Sequence, residues 1–286
     1  MEIFDNDQKL LEVLSNKQGI IFFLGQTDTG KTTFARKLIN RYIDKNEKVV
    51  FLDSDVGQST VGPLSTIGLK FIQIKKDISD NNYSYLYFVG STSPRGHLLP
   101  MVIGTYKLSR ILLKKVDSTI IDTTGLVLGN YGQMLKFYKI SLILPRYLVL
   151  FEKEDELEPY KEIFKSNKKI KTFLLKVQGS IKGKSYAQRE EYRKEKFGRY
   201  FKKGEEQILN LKKLSSFPPM FEFKYKIQKF NILGLEDENN NLLGIGIFLD
   251  FEENDKIKIL TPISNIKEIS FLKLSFIKIT KTGQRI

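Results

Sequence analysis

The chain has 286 residues, 41% hydrophobic and 28% charged, a balance that specifies a folded protein with room for one large α/β domain and a smaller companion. It has no cysteine and no tryptophan, which excludes disulfides, thiolate metal sites and cysteine nucleophiles. A formal net charge of +14 favours polyanionic partners, and with no signal pattern and no apolar run near ~18 residues the expectation is a cytoplasmic protein that contacts no membrane.

Residues 1–18 read as a short helix leading into the apolar run Ile20 to Leu24, a strand. Directly after it stands Gly25-Gln26-Thr27-Asp28-Thr29-Gly30-Lys31-Thr32, followed by Thr33: a complete G-x-x-x-x-G-K-T phosphate loop between a strand and a helix. Backbone N–H groups of such a loop converge on phosphate oxygens, and the helix adds the positive end of its dipole. Lys31 would reach the β and γ phosphates of ATP or another nucleoside triphosphate, and the Thr32 hydroxyl would ligate Mg²⁺. The helix that follows carries Phe34, Ala35, Leu38, Ile39 and Tyr42 on one face, the pattern of a helix packed on a sheet.

The β-rich run Lys48 to Leu52 ends in Asp53-Ser54-Asp55-Val56-Gly57-Gln58-Ser59. One carboxylate here can hold magnesium and the other can accept a proton from an attacking hydroxyl, while Gln58 can orient the nucleophile. A strand at Tyr85 to Val89 leads into Ser91-Thr92-Ser93-Pro94-Arg95-Gly96-His97, where Arg95 and the only histidine form a candidate clasp for phosphate or sugar. A helical pattern covers His97 to Lys114. The strand Thr119 to Asp122 then runs into Thr123-Thr124-Gly125, a Walker B-like end whose Asp122 would meet the magnesium shell. Further strands fall at Tyr147 to Phe151 and Ile170 to Leu175, with helices at Gly132 to Tyr138 and Leu157 to Phe164. The alternation predicts an α/β phosphate-loop fold with a mostly parallel, doubly wound sheet.

From Lys161 to Lys213 there are 17 Lys or Arg against six Glu and no Asp, so most of the charge excess lies in under a fifth of the chain and suits a phosphodiester backbone. Within it a helix near 188–201 spaces Arg189 and Arg193 at i and i+4, an arrangement for a lid, about 180–203, that closes cations over a transferring phosphoryl group. After Ser215-Ser216-Phe217-Pro218-Pro219 helical periodicity ends. Short β runs follow at Phe221 to Tyr225, Asn231 to Leu235, Leu243 to Phe248, Lys256 to Leu260 and Ser270 to Ile279, with a hairpin turn at Asp237 to Asn241. The expected division is a phosphate-loop domain over 1–214 and a small all-β domain over 215–286.

Taken in this order, the phosphate loop, Asp53 to Ser59, Thr92 to His97, Asp122 to Val127, the arginine-bearing segment ending in Tyr200-Phe201, and Gly234 to Gly246 with Leu260-Thr261-Pro262 resemble the polynucleotide 5′-hydroxyl kinase family. That family includes the RNA kinase subunit of the pre-mRNA cleavage factor and the ribosomal-RNA processing kinase. The resemblance implies transfer of the γ-phosphate of an NTP to the 5′-OH end of RNA or DNA. Asp55 would activate the hydroxyl, and Lys31, Arg189 and Arg193 would neutralise phosphate. Thr32 with Asp53 or Asp122 would hold Mg²⁺, while Gln58, Arg95, His97, Thr124 and Gly125 would meet the acceptor. Where many relatives carry a stacking tryptophan, this chain has Leu126. Two other classes fit the same phosphate loop: an idle ATP-binding adaptor in an RNA-processing assembly and a switch or remodelling ATPase. The residues name no protein partner.

Overall fold

The computed structural model describes residues 1–75, 77, 82–111, 116–177 and 183–286. The expected lid residues 180–182 and the helical pattern over 112–114 lie outside them.

Eight strands make the larger sheet: β1 (Glu2–Phe4), β2 (Gly19–Gly25), β3 (Val49–Ser54), β4 (Thr66–Ile72), β5 (Tyr85–Phe88), β6 (Ser118–Thr123), β7 (Tyr147–Glu152) and β8 (Lys171–Lys176). Their spatial order is β1-β8-β7-β2-β6-β3-β4-β5. From β1 through β3 every pairing is parallel, and β4 and β5 complete the sheet as antiparallel strands. Phe22, Phe23 and Leu24 of β2 are wholly buried because β2 runs between β7 and β6 with helices on both faces.

Helices α1 (Asp7–Leu14) and α2 (Lys31–Asp44) cover one face, where Leu10, Phe34, Leu38 and Tyr42 pack with Phe23 and Phe151. Helices α3 (Leu98–Arg110), α4 (Gly129–Ile143) and α5 (Glu158–Phe164) cover the other, with Met101, Leu135, Ile140 and Tyr160 in the core. Parallel strands joined by such crossovers present their carboxyl ends on one edge. The chain therefore brings Gly25, Asp53 and Asp122 together there, although they lie far apart in sequence. Asp53 and Asp122 are direct register partners.

Helix α6 (Tyr186–Phe201) opens with a capping box from Ser185 and Gln188 and buries Phe197 and Phe201. It leads into the second sheet, order β10-β14-β11-β12-β13-β9: β9 (Glu205–Asn210), β10 (Ser215–Phe217), β11 (Asn231–Glu236), β12 (Leu242–Glu252), β13 (Lys256–Thr261) and β14 (Phe271–Lys278). Its edge strand β9 lies upstream of Ser215 and pairs antiparallel with β13. The run Phe221 to Tyr225 is not the expected strand but part of α7 (Met220–Lys226). Pro219 begins that helix and its carbonyl accepts from the Phe223 N–H, so one turn buries Phe223 and leaves Phe221 and Tyr225 outside. The two sheets meet where the Phe88 ring fills the space a side chain at Gly234 would need and Ser275 Oγ donates to the Gly90 carbonyl at 2.7 Å. Among the described residues no helix is long and apolar enough to cross a membrane.

Candidate active site

The phosphate loop is shaped by close packing. Gly25 lies so near β7 that a Cβ there would come within 2.6 Å of the Phe151 carbonyl, and Gly30 caps α2 at φ +83°. Asp28 holds a left-handed φ of +58°, a conformation that aspartate tolerates better than most residues. Lys31 is buried, and its ammonium donates to the Gln26 carbonyl and to Thr29 Oγ1 at 3.2 Å. Burial lowers its pKa, opposed by the charges of Asp122, Asp55 and Asp28.

Behind this loop the three aspartates take different parts. Asp122 is buried; its Oδ2 accepts from the Thr32 hydroxyl and its Oδ1 from the Thr123 N–H. Burial raises its pKa, against the opposing pull of Lys31. Asp53, expected in the metal shell, is turned inward instead. Its Oδ1 accepts from the Asp55 N–H and its Oδ2 from both the N–H and hydroxyl of Thr60, so both oxygens brace the loop that carries Asp55. Burial, with Asp122 and Asp55 adding like charge, pushes its carboxyl up to about 7. Asp55 is half-buried at the cleft; its Oδ1 accepts from the Gly57 and Gln58 N–H groups at 3.0 Å, and its Oδ2 has no partner among the described residues.

A cleft of about 370 Å³ joins these parts, lined by the phosphate loop, Asp55, Gln58, Gly125, Lys184 and Tyr192 among others. Gly125 is pressed against the loop, since a Cβ there would sit 2.2 Å from the Thr27 nitrogen. Thr124, expected at the acceptor, is buried with its hydroxyl on the Leu126 N–H. Among the described residues no three carboxylate or imidazole groups converge to hold an ion alone. The adjacent Thr32 hydroxyl and Asp122 carboxylate do fit magnesium beside a triphosphate, because that ion takes few protein oxygens and completes its shell with phosphate and water.

The first turn of α6 closes on the loop through Asp28. Arg189 Nη2 donates to Asp28 Oδ2 at 2.7 Å, and the Lys184 N–H reaches the same oxygen at 3.2 Å. Lys184 Nζ donates to Gln58 Oε1 and lies 4.8 Å from the centre of the Tyr192 ring. Tyr192 in turn donates to the Ser59 carbonyl at 2.9 Å. Arg193 departs from the expectation that both arginines cover the phosphates. Four residues advance the helix by about 6 Å, and Arg193 lines a neighbouring cleft of about 580 Å³ with Thr92, Tyr186, Glu190, Ile277 and Arg285. The Thr92 carbonyl packs on Gly57, so this second cleft borders the Asp55 loop. Arg95 is exposed, and His97 rests its Nδ1 3.2 Å from the Arg95 carbonyl at the start of α3. Neither side chain lines either cleft; from that segment it is Thr92 that approaches the site.

The lysine-rich segment divides in the same way. Lys161, Lys165 and Lys171 are paired with Glu152, Glu158, Glu162 and Glu2, whereas Lys184 and Arg193 line the two clefts, Arg189 pairs with Asp28 at the loop, and Lys194 lines the second cleft while pairing with Glu191.

Two residues that the motifs did not single out lie directly beneath the site. Lys136 and Lys139 of α4 are fully buried. Lys136 donates to Thr123 Oγ1 and to the Thr124 carbonyl, both at 2.6 Å, and Lys139 donates to Ser54 Oγ. One helix thus ties the ends of β3 and β6 together. Burial drives the Lys136 pKa well below its usual range and lowers that of Lys139 to about 7, with Asp55 and Asp53 opposing the latter shift. A signal was present: both lysines fall on the helical stripe of Gly132, Leu135, Ile140 and Ile143.

A phosphate loop on β2, carboxylates at the ends of the two neighbouring strands and a basic helix folded over the cleft define a P-loop nucleotide-binding protein of the phosphotransfer type. The chain belongs to the family of the mRNA cleavage and polyadenylation factor CLP1 P-loop, whose pattern matches residues 25–203. It is 32% identical to a polyribonucleotide 5′-hydroxyl-kinase of Methanocaldococcus jannaschii, over 95% of this chain and 90% of that protein. It is 28% identical to one of Pyrococcus furiosus, over 99% and 94% respectively. The fold is similar to that of Clp1p in its complex with Pcf11p, with a TM-score of 0.71 at 13% identity over 94% of this chain and 77% of that one.

Proposed function

We propose that the protein is a polynucleotide 5′-hydroxyl kinase that moves the γ-phosphate of ATP, or another nucleoside triphosphate, to the 5′-OH of an RNA strand. The observation that carries this reading is that Asp55 and Lys31 line one cleft beside the phosphate loop, with Asp55 Oδ2 left without a partner among the described residues. An alcohol arriving beside Asp55 would give its proton to Oδ2 as its oxygen attacks the γ-phosphorus and the bond to the departing nucleoside diphosphate breaks. The archaeal relatives named as polyribonucleotide kinases support RNA as acceptor.

Lys31 would neutralise the transferring phosphoryl group. Arg189 would join it, since its buried Nε has no partner among the described residues and is a donor left over from the Asp28 contact. Thr32 and Asp122 would hold Mg²⁺, which when bound offsets phosphate charge; Asp53, Lys136 and Lys139 are positioning residues that keep the strand ends in place. Arg193 and Arg285 in the adjoining cleft suit phosphodiesters further along the acceptor, with Thr92 between the two clefts.

The test is product analysis with γ-labelled ATP and a 5′-OH oligoribonucleotide. The kinase reading expects label on the oligonucleotide. Label released only as free phosphate would make the protein an ATPase, and unreacted bound ATP would make it an adaptor.

A further inference from the structure

Helix α4 is built inside out. Its buried side holds Gly132, Leu135, Lys136, Lys139, Ile140 and Ile143, so both lysines of the helix point into the protein. Its solvent side presents Tyr131, Met134, Phe137, Tyr138 and Leu142, with Leu128 and Leu144 at the two ends. No charged side chain stands on that outer face, in a chain where 28% of residues are charged. Helix α3 packs alongside and adds Leu99, Ile103 and Tyr106, spaced at i, i+4 and i+7. These ten side chains are between 38% and 69% exposed.

The size of the face says what kind of partner it takes. With 150–250 Å² for a fully exposed large side chain, half-exposed residues in this number offer roughly 1,000 Å² of surface. That exceeds the few hundred Å² of an ordinary apolar patch on a monomer and matches the ~800 Å² that each partner contributes to a stable protein interface. Charge says which partner. A net charge of +14 makes copies of this chain repel one another over most of their surface, and close approach is cheapest through a face with no charge. The outer side of α4 also offers no charge for a partner of opposite sign to read. An uncharged aromatic and methionine face is complementary to itself, which a two-fold interface requires. Lys107 and Arg110 continue the exposed row of α3 at its C-terminal end, so the uncharged part of the face is the outer side of α4 with the first two turns of α3, and Lys107 is held by the Asn240 carbonyl.

We infer that the outer face of α3 and α4 is a homodimer interface, with two copies of the chain packed through Leu99, Ile103, Tyr131, Met134, Tyr138 and Leu142. The face lies on a helical layer of the large sheet and none of its ten side chains lines either cleft, so pairing through it covers no cleft-lining residue.

Sedimentation velocity and light scattering on the full chain at micromolar concentrations test this. The wild type is expected at twice the 33.1 kDa chain mass. Met134→Glu and Tyr138→Glu, made separately, are expected as monomers with unchanged circular dichroism, their self-association weakened at least tenfold. Leu99→Lys, on the other helix and the most exposed of the set, is expected to do the same and keeps the test independent of α4 packing. A wild type that stays monomeric throughout the range overturns the inference, including one that instead binds lipid vesicles through this face. So does a dimer that survives all three substitutions.

Discussion

Gly125→Ala is a perturbation whose consequence can be worked from the backbone alone. The added Cβ would stand 2.2 Å from the Thr27 nitrogen, 2.5 Å from its Cγ2 and 2.7 Å from its Cα. Ordinary contact needs about 3.4 Å or more, and the obstacle is main chain, so the phosphate loop itself must retreat by more than an ångström. Misplacement of about 1 Å in a positioning element costs on the order of 10²-fold in rate, or about 3 kcal/mol of transition-state stabilisation. Initial rates of phosphate transfer to a 5′-OH oligoribonucleotide should therefore give kcat/KM about 100-fold lower, with calorimetry showing ATP affinity weakened by roughly tenfold or more. Gly246→Ala in the second sheet is the control, because its new methyl would meet side-chain carbons of Ile259 and Leu235 at 3.3 Å and leave the loop alone. Wild-type turnover and nucleotide affinity in Gly125→Ala would refute the claim that this glycine sets the position of Thr27.

Arg189→Ala should lower kcat by roughly 10²–10³ with little change in acceptor KM, as expected for a donor aimed at developing phosphoryl charge; steady-state kinetics at saturating ATP separate the two parameters. Arg193→Ala should do the reverse, raising acceptor KM about tenfold for a loss of about 1.4 kcal/mol while sparing kcat. Lys139 tests the buried lysines through pH. Its folded pKa is about 7 against 10.5 for the free side chain, so above pH 7 the unfolded chain binds the extra proton and stability rises toward pH 10, whereas below pH 7 both states are charged and its contribution is flat. Urea unfolding at several pH values should show that rise in the wild type and a shallower rise in Lys139→Met, where buried Lys136 keeps its own contribution.

The strand-to-loop motifs were legible because their chemistry is local. The phosphate loop, Asp53 to Ser59 and Asp122 to Gly125 each follow an apolar run, and a parallel sheet places such ends on one edge. Direction within the edge was not legible. The spacing of Asp53 and Asp55 leaves the two carboxylates equivalent, and only the resemblance favours Asp55 as the base; Thr60, by engaging Asp53, sets them apart, and that contact depends on how residues 55–60 fold back. Arg189 and Arg193 read as a matched pair, but one helical turn separates the loop from the neighbouring cleft. Phe221 to Tyr225 read as a strand because aromatic residues alternate there, and the proline before it starts a helical turn instead. Glu205 to Asn210 carries too few apolar residues to declare itself a strand, and it forms one because β13 offers it an edge. Lys136 and Lys139 belong to none of the motifs, and only tertiary packing shows that their amino groups serve the strand ends.

Asp55→Asn isolates the passage of the hydroxyl proton to Asp55, because the amide oxygen still accepts from the Gly57 and Gln58 N–H groups while the base is gone. Single-turnover transfer from γ-labelled ATP to a 5′-OH oligoribonucleotide should slow by roughly 10²–10⁴ with ATP affinity intact. Transfer by the variant at the wild-type rate would contradict the account.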